Sequence, residues 1–181
     1  GAPGADRFPG VGSGTHGGQI PRALIGLERV LLDRRPTAVV VAGDVNSTLA
    51  GAIAAAKAGI PLAHIESGLR SFDPSMPEES NRKLTDHLSQ LLLAHSRSAV
   101  DNLTREGIDR DTIELVGNTM IDSLMAHVEA AKAAEPWLRF GLEGGDYGVV
   151  TLHRSGRVYE SPLRKANVDA TTQRATHHPL A

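Results

Sequence analysis

The feature that most limits what this chain can fold into is Ala38-Val39-Val40-Val41-Ala42-Gly43, an unbroken apolar run of strand length rich in β-branched residues. Continuous rather than alternating apolarity predicts a strand buried on both faces, as in a parallel sheet. Parallel neighbours need crossover segments, usually helices, and the flanking sequence supplies them. Ile20, Leu24, Leu27 and Leu31 recur at helical spacing ahead of the run, and Arg35-Pro36 ends that helix. Behind it, Thr48 to Ala58 reads as an Ala-rich helix stopped by Gly59. The alternation then continues. Pro61 to Ile65 is a second strand, Gly68 to Pro77 a loop, Asn81 to Leu92 a helix with Leu84, Leu88, Leu91 and Leu92 on one face, and Leu91 to Ala94 a third strand. Ser98 to Glu106 is a helix with Ser98 and Asp101 as a capping box and Gly107 as its stop. Ile113 to Val116 is a fourth strand, and Thr119 caps a helix to about Ala134. The class is α/β, with a parallel sheet and right-handed crossovers.

Composition narrows the function classes. With 19 Lys and Arg against 21 Asp and Glu in 181 residues, no basic excess is available for a nucleic-acid surface. The absence of Cys excludes a thiolate nucleophile, a disulfide scaffold and a Cys-ligated zinc. Apolar stretches are interrupted by Asp44, Lys57 and His64, so no membrane span is predicted, and Gly1 to Arg7 lacks the order of a signal peptide. A soluble cytoplasmic protein is the expectation. His177-His178 has no acid nearby, and no metal site is predicted.

In an open parallel sheet, ligands bind beyond the carboxyl ends of the strands. Asp44 follows the first strand and Glu66 the second. On neighbouring strands about 4.8 Å apart, the two carboxylates share one rim. Such a pair can shift one pKa upward and serve as acid and base, whereas position alone slightly favours Asp44 as a helix cap and Glu66 as a solvated loop acid. Ser75 and Glu78 fit a capping box, with Glu78–Arg82 and Glu79–Lys83 as i, i+4 pairs, and on spacing alone that structural role is preferred. His153, at the end of a fifth strand from Tyr147 to Leu152, is a weak acid/base candidate. Ser13 to Gly18 and Gly117-Asn118-Thr119 are turns whose backbone N–H groups could cradle phosphate, although neither is a Walker or Gly-x-Gly-x-x-Gly loop.

Five segments in order carry a resemblance: Gly43-Asp44-Val45-Asn46-Ser47-Thr48, His64-Ile65-Glu66-Ser67-Gly68-Leu69-Arg70, Pro77-Glu78-Glu79-Ser80-Asn81-Arg82, Val116-Gly117-Asn118-Thr119-Met120-Ile121-Asp122 and Thr151-Leu152-His153-Arg154. Together they resemble the non-hydrolysing UDP-N-acetylglucosamine 2-epimerases. The resemblance implies Rossmann-like domains in a glycosyltransferase-B-like arrangement, a UDP-sugar substrate, no cofactor, a homodimer and a role in cell-surface polysaccharide biosynthesis. It implies C2-proton removal with anti expulsion of UDP, then re-addition on the other face. Carried over by motif, Asp44, Glu66, Glu78 and His153 are the catalytic acids and bases, and Arg82, Gly117 and Asn118 are substrate-binding residues. The expected organisation is an incomplete first domain over 1–134, a linker over 135–146, the first strand of a second domain over 147–154 and a tail over 155–181 that is unmatched to the family and poorly structured. Family members carry a Gly-Thr-Arg-Pro-Glu type loop before the first segment matched here, and a second nucleotide-gripping domain after the last. The chain therefore reads as truncated at both ends, and its open sheet edges predict marginal folding or self-association. A non-catalytic fragment and, less favoured, a UDP-sugar glycosyltransferase are the alternatives.

Overall fold

The computed structural model describes residues 10–142 and Val149. The expected strand at 147–152, His153 and the 155–181 tail lie outside the described residues. The chain divides into two compact units, one ending at Leu124 and the other starting at Met125.

The first unit opens with helix α1, His16–Arg34, whose N-terminus is capped by the Thr15 hydroxyl accepting the Gly18 N–H. Arg35, in the left-handed region at φ 42°, ends it just before Pro36. Strands β1 (Val39–Ala42), β2 (Leu62–Ser67), β3 (Leu91–Ala94) and β4 (Ile113–Leu115) alternate with α2 (Asn46–Ala58), α3 (Pro77–Leu88) and α4 (Arg97–Arg105). All strand pairings are parallel and the order is β1-β2-β3-β4, so the chain winds steadily in one direction across the sheet. Helix α5, Thr119–Ala133, follows β4. In the second unit, α5 runs out to Ala133 and a short 3-10 turn spans Pro136–Phe140.

Packing explains the composition of these elements. Leu31, Ala52, Ala54, Ala55 and Leu62 form one buried cluster, joined by Leu24, Leu27, Val39 and Val41. Small residues on α2 let it approach both α1 and the sheet: a Cβ at Gly51 would lie 3.2 Å from Val41 Cγ1. A second cluster of Leu92, Ala94, Ala99, Leu103 and Ile113 holds α4 on β3 and β4.

Several sequence expectations are corrected. The Val39–Ala42 run is not buried on both faces: its exposure alternates, and Val40 is 60% exposed. β1 lies at the edge of the sheet formed by the described residues, and α1 and α2 cover one of its faces. Helix α3 starts at Pro77 and ends at Leu88, earlier than its leucine spacing predicts, and Leu84 is 53% exposed. Its inward residues are Glu79, Asn81, Thr85 and Asp86. Proline at the first helical position has a preset φ and no N–H to lose, which suits that start. The two capping boxes do not form: Ser75 turns back onto Asp73 Oδ1, and α4 is capped by Ser96, whose Oγ accepts the Ala99 N–H. At α5 the first-turn acceptor is Asn118 Oδ1, bonded to the Met120 N–H, rather than the Thr119 hydroxyl.

Candidate functional site

Where β1 ends, the parallel ladder continues one residue further, the Gly43 N–H donating to Ile65 O at 3.1 Å. Gly43 then turns the chain at φ 68°, a region open to glycine at little cost, and Asp44 follows at the sheet's carboxyl edge. Glu66 does not follow β2 but sits within it, at the shift in register between Ile65 and Ser67. It is a non-glycine residue at φ 67°, and such an extra residue re-aims its side chain relative to the pleat. Glu66 Oε2 consequently lies 3.8 Å from where a Gly43 Cβ would stand. The two sequence-predicted carboxylates thus occupy one rim, as neighbouring strands require.

Asp44 does not cap α2. The N-cap residue is Val45, and no side chain caps that helix. The Asp44 carboxylate instead pairs with Arg82 Nη2, and Arg82 Nη1 reaches Glu79 Oε2 at 3.1 Å. The expected Glu78–Arg82 pair is therefore replaced by an i, i+3 pair from Glu79, while Glu79–Lys83 forms at 3.4 Å. Burial pushes the Glu79 carboxyl up, but hydrogen bonds from the Ser71 N–H and hydroxyl, with Lys83 and Arg82 beside it, outweigh that and hold it below the usual glutamate range.

Asn81 ties this rim together: its Nδ2 donates to Asp44 O at 2.9 Å and to Asn46 Oδ1 at 3.2 Å. Asn46 Nδ2 in turn donates to Gln19 Oε1 at 2.8 Å and lies 3.0 Å from His16 Nδ1. This amide relay joins the first turns of α1 and α2 to α3, around a cleft of about 420 Å³ lined in part by Gly12, His16, Asn46, Ser47 and Glu78. Three helix N-termini meet there, and the uncapped α2 leaves first-turn N–H groups for a ligand; such ends favour anions. Glu78 adds a carboxylate to the same wall.

Beneath the rim lies a buried ionic chain. His64, fully buried, faces Asp86 Oδ1 through Nδ1 at 2.7 Å and donates from Nε2 to Gly43 O at 2.8 Å. Asp86 Oδ2 accepts from Arg70 Nη1 at 2.8 Å and from the Gly68 N–H at 3.2 Å. Arg70 holds Glu106 with two bonds, 2.7 and 2.6 Å. Those bonds hold the Glu106 carboxyl below its usual range against the opposing effect of burial. Burial lowers the Arg70 guanidinium, but Glu106 and Asp86 more than compensate and its pKa is raised.

The structure thus brings Asp44, Glu66 and Arg82 together, with Glu78 on the adjoining cleft. Gly117, at φ 83°, and Asn118 follow β4, three strands from β1 and so roughly 14 Å along the sheet edge. His153 lies outside the described residues. Sequence reasoning missed Asn81, Asp86 and Glu106 as members of the site's support. The available signal was on α3, where Glu79, Arg82 and Asp86 stand at i, i+3, i+7 and form one charged face.

A sequence model of a family described as UDP-N-acetylglucosamine 2-epimerase matches residues 5–177, which reaches past His153 and through most of the 155–181 segment expected to be unmatched. A UDP-N-acetylglucosamine 2-epimerase of Methanococcus maripaludis is 46% identical over 148 residues, covering 80% of this chain and 40% of that protein. A UDP-2,3-diacetamido-2,3-dideoxy-D-glucuronate 2-epimerase of Pseudomonas aeruginosa is 43% identical over 171 residues, covering 93% of this chain and 47% of that protein. The crystal structure of Methanocaldococcus jannaschii UDP-GlcNAc 2-epimerase in complex with UDP-GlcNAc and UDP superposes with a TM-score of 0.84 at 43% identity, covering 96% of this chain and 48% of that one. The chain therefore spans less than half the length of these relatives.

Proposed function

The chain belongs to the UDP-N-acetylglucosamine 2-epimerase family, and we propose that its site epimerises C2 of a UDP-2-acetamido sugar, interconverting UDP-N-acetylglucosamine and UDP-N-acetylmannosamine. The observation that carries this reading is the shared rim of Asp44 and Glu66 at the ends of adjacent parallel strands, beside a cleft walled by Glu78 and three helix N-termini.

The reaction breaks the C2–H and anomeric C–O bonds. A base takes the C2 proton while UDP leaves from the opposite face with the bonding electrons, giving a 2-acetamidoglucal. UDP then re-adds at C1 and a proton is delivered to the other face of C2. A carbon acid this weak needs a positioned base on one face and a proton donor on the other. Glu66, re-aimed by its bulge, and Asp44, Glu78 and the motif-matched His153 are the groups proposed for those transfers. Arg82 compensates and orients Asp44. The helix N-termini around the cleft supply donors for departing diphosphate, the type of preorganised stabilisation that lowers such barriers most. Gly117 and Asn118, farther along the same edge, are proposed contacts for the remainder of an extended nucleotide. The first domain is proposed over residues 1–134, with a second beginning at 147–154.

Among the described residues no helix is long and apolar enough to cross a membrane. A cytoplasmic homodimer supplying cell-surface polysaccharide synthesis extends the same proposal, on the strength of the nucleotide-sugar substrate.

The test is incubation of the chain with UDP-N-acetylglucosamine in D2O, followed by proton NMR. Loss of the C2 proton signal with appearance of the manno epimer is expected, and Glu66→Gln abolishes both. UDP binding without any C2 exchange overturns the catalytic assignment and leaves a ligand-binding unit. Sugar transfer to an acceptor without epimer points to a glycosyltransferase.

A further inference from the structure

Neither His64 nor Asp86 lines the cleft, yet each holds one of the backbone turns that carry the candidate carboxylates. His64 Nε2 lies 2.8 Å from Gly43 O, on the residue before Asp44. A carbonyl can only accept, so Nε2 bears a proton. His64 Nδ1 lies 2.7 Å from Asp86 Oδ1, and Asp86 Oδ2 already accepts from Arg70 and from the Gly68 N–H, two residues after Glu66. Asp86 thereby links the ring to the Arg70 guanidinium and to the Gly68 backbone. From the ring the charges run outward in alternating sign: Asp86 from α3, then Arg70 from the loop after β2, then Glu106 from the end of α4. At the end of β1 the ring meets the Gly43 carbonyl.

We infer that His64 and Asp86 are positioning residues, a buried imidazole–carboxylate pair that locks the Asp44 turn and the Glu66 bulge to α3 and so sets their mutual geometry. Asn102 Nδ2 completes the clamp by donating to Gly68 O from the α4 side at 3.0 Å. The inference rests on the proposed epimerase reading for what is being positioned, but the pair's tethers stand apart from it.

The test uses the full chain labelled with 15N. Long-range proton–nitrogen correlations of the His64 ring should report a protonated Nε2, and an unprotonated Nε2 overturns the Gly43 tether. Asp86→Asn should leave Nε2 protonated and bonded to Gly43, with Nδ1 facing the new amide. Asp86→Ala should speed hydrogen exchange at the Gly43 and Gly68 amides and lower kcat for C2-proton exchange roughly 10- to 100-fold with KM little changed, as expected for displaced reacting groups. Asp86→Asn, which keeps both tethers sterically possible, should recover most of that loss. Equal effects of the two substitutions on kcat, or unchanged amide exchange at both glycines in Asp86→Ala, overturn the positioning role. A parent chain that exchanges no C2 proton defeats the epimerase reading alone, because the ring and amide measurements still decide this one.

Discussion

Gly68→Ala is the substitution whose cost the structure defines most sharply. Gly68 lies at φ 78°, and a Cβ there would stand 2.4 Å from the Ala99 carbonyl oxygen and 2.8 Å from its carbon. Ordinary contact begins at 3.4 Å, so the loop after β2 and helix α4 must separate by about 1 Å. Ala99 is backbone within α4 and cannot rotate aside as a flexible side chain would. Left-handed strain for a Cβ-bearing residue costs about 1 kcal/mol. Overpacking of a closed contact adds about 1–3 kcal/mol. The same opening stretches the Gly68 N–H to Asp86 bond and the Asn102 to Gly68 bond, each worth about 1 kcal/mol when buried. The expected total is about 4–6 kcal/mol. Gly107→Ala is the matched control: its φ is 85° and nothing lies within 4 Å of its added Cβ, so it carries the backbone strain alone, about 1 kcal/mol. Urea unfolding followed by circular dichroism measures both, with midpoint shifts interpreted at constant m. If Gly68→Ala falls within about 0.5 kcal/mol of Gly107→Ala, close backbone approach is not what requires glycine at this position.

Three further outcomes are expected. Glu79 and Glu106 both have folded-state pKa values below the ordinary carboxyl value, so each contributes stability above about pH 4.3 that disappears as pH falls through its lowered folded value; Glu79→Gln and Glu106→Gln should each flatten the acid limb of a stability–pH curve, and an unchanged limb would contradict these pairings. Arg82→Met strands the nearly buried Glu79 and frees Asp44, costing about 3 kcal/mol and moving the Glu79 titration upward in carboxyl 13C NMR; no upward movement would refute the pairing. Asn81→Ala leaves the Asp44 carbonyl and Asn46 amide without their shared donor, at about 1–3 kcal/mol in denaturant unfolding, whereas an exposed-site cost below about 0.5 kcal/mol would show that the relay is not needed.

Local chemistry made much of this legible. The β-branched run, the Ala-rich segment before Gly59 and the leucine spacing ahead of Arg35-Pro36 each identify an element from neighbours within a few residues. Asp44 and Glu66 were legible as rim residues because strand ends and ligand crevices coincide in parallel sheets. Helix α3 was misread for a physical reason. Hydrophobic periodicity assumes that charge faces water, and here Leu84 faces outward while Glu79 and Asp86 face in. The caps were misassigned because Ser75 and Ser98 each have a competing partner nearby, Asp73 and Ser96 respectively.

By itself, then, the sequence determined the alternation of strands and helices, the position of two carboxylates near the carboxyl edge of the sheet and the motifs shared with an epimerase family. Tertiary structure decided which charges meet. Asp44 and Arg82 are 38 residues apart, His64 and Asp86 are 22 apart, and Arg70 and Glu106 are 36 apart. These pairings depend on sheet register, on the bulge at Glu66 and on how closely α3 and α4 approach the sheet edge. Propensity acts over a turn or two of chain, whereas a buried charge must find its partner wherever the assembled fold brings one within about 3 Å.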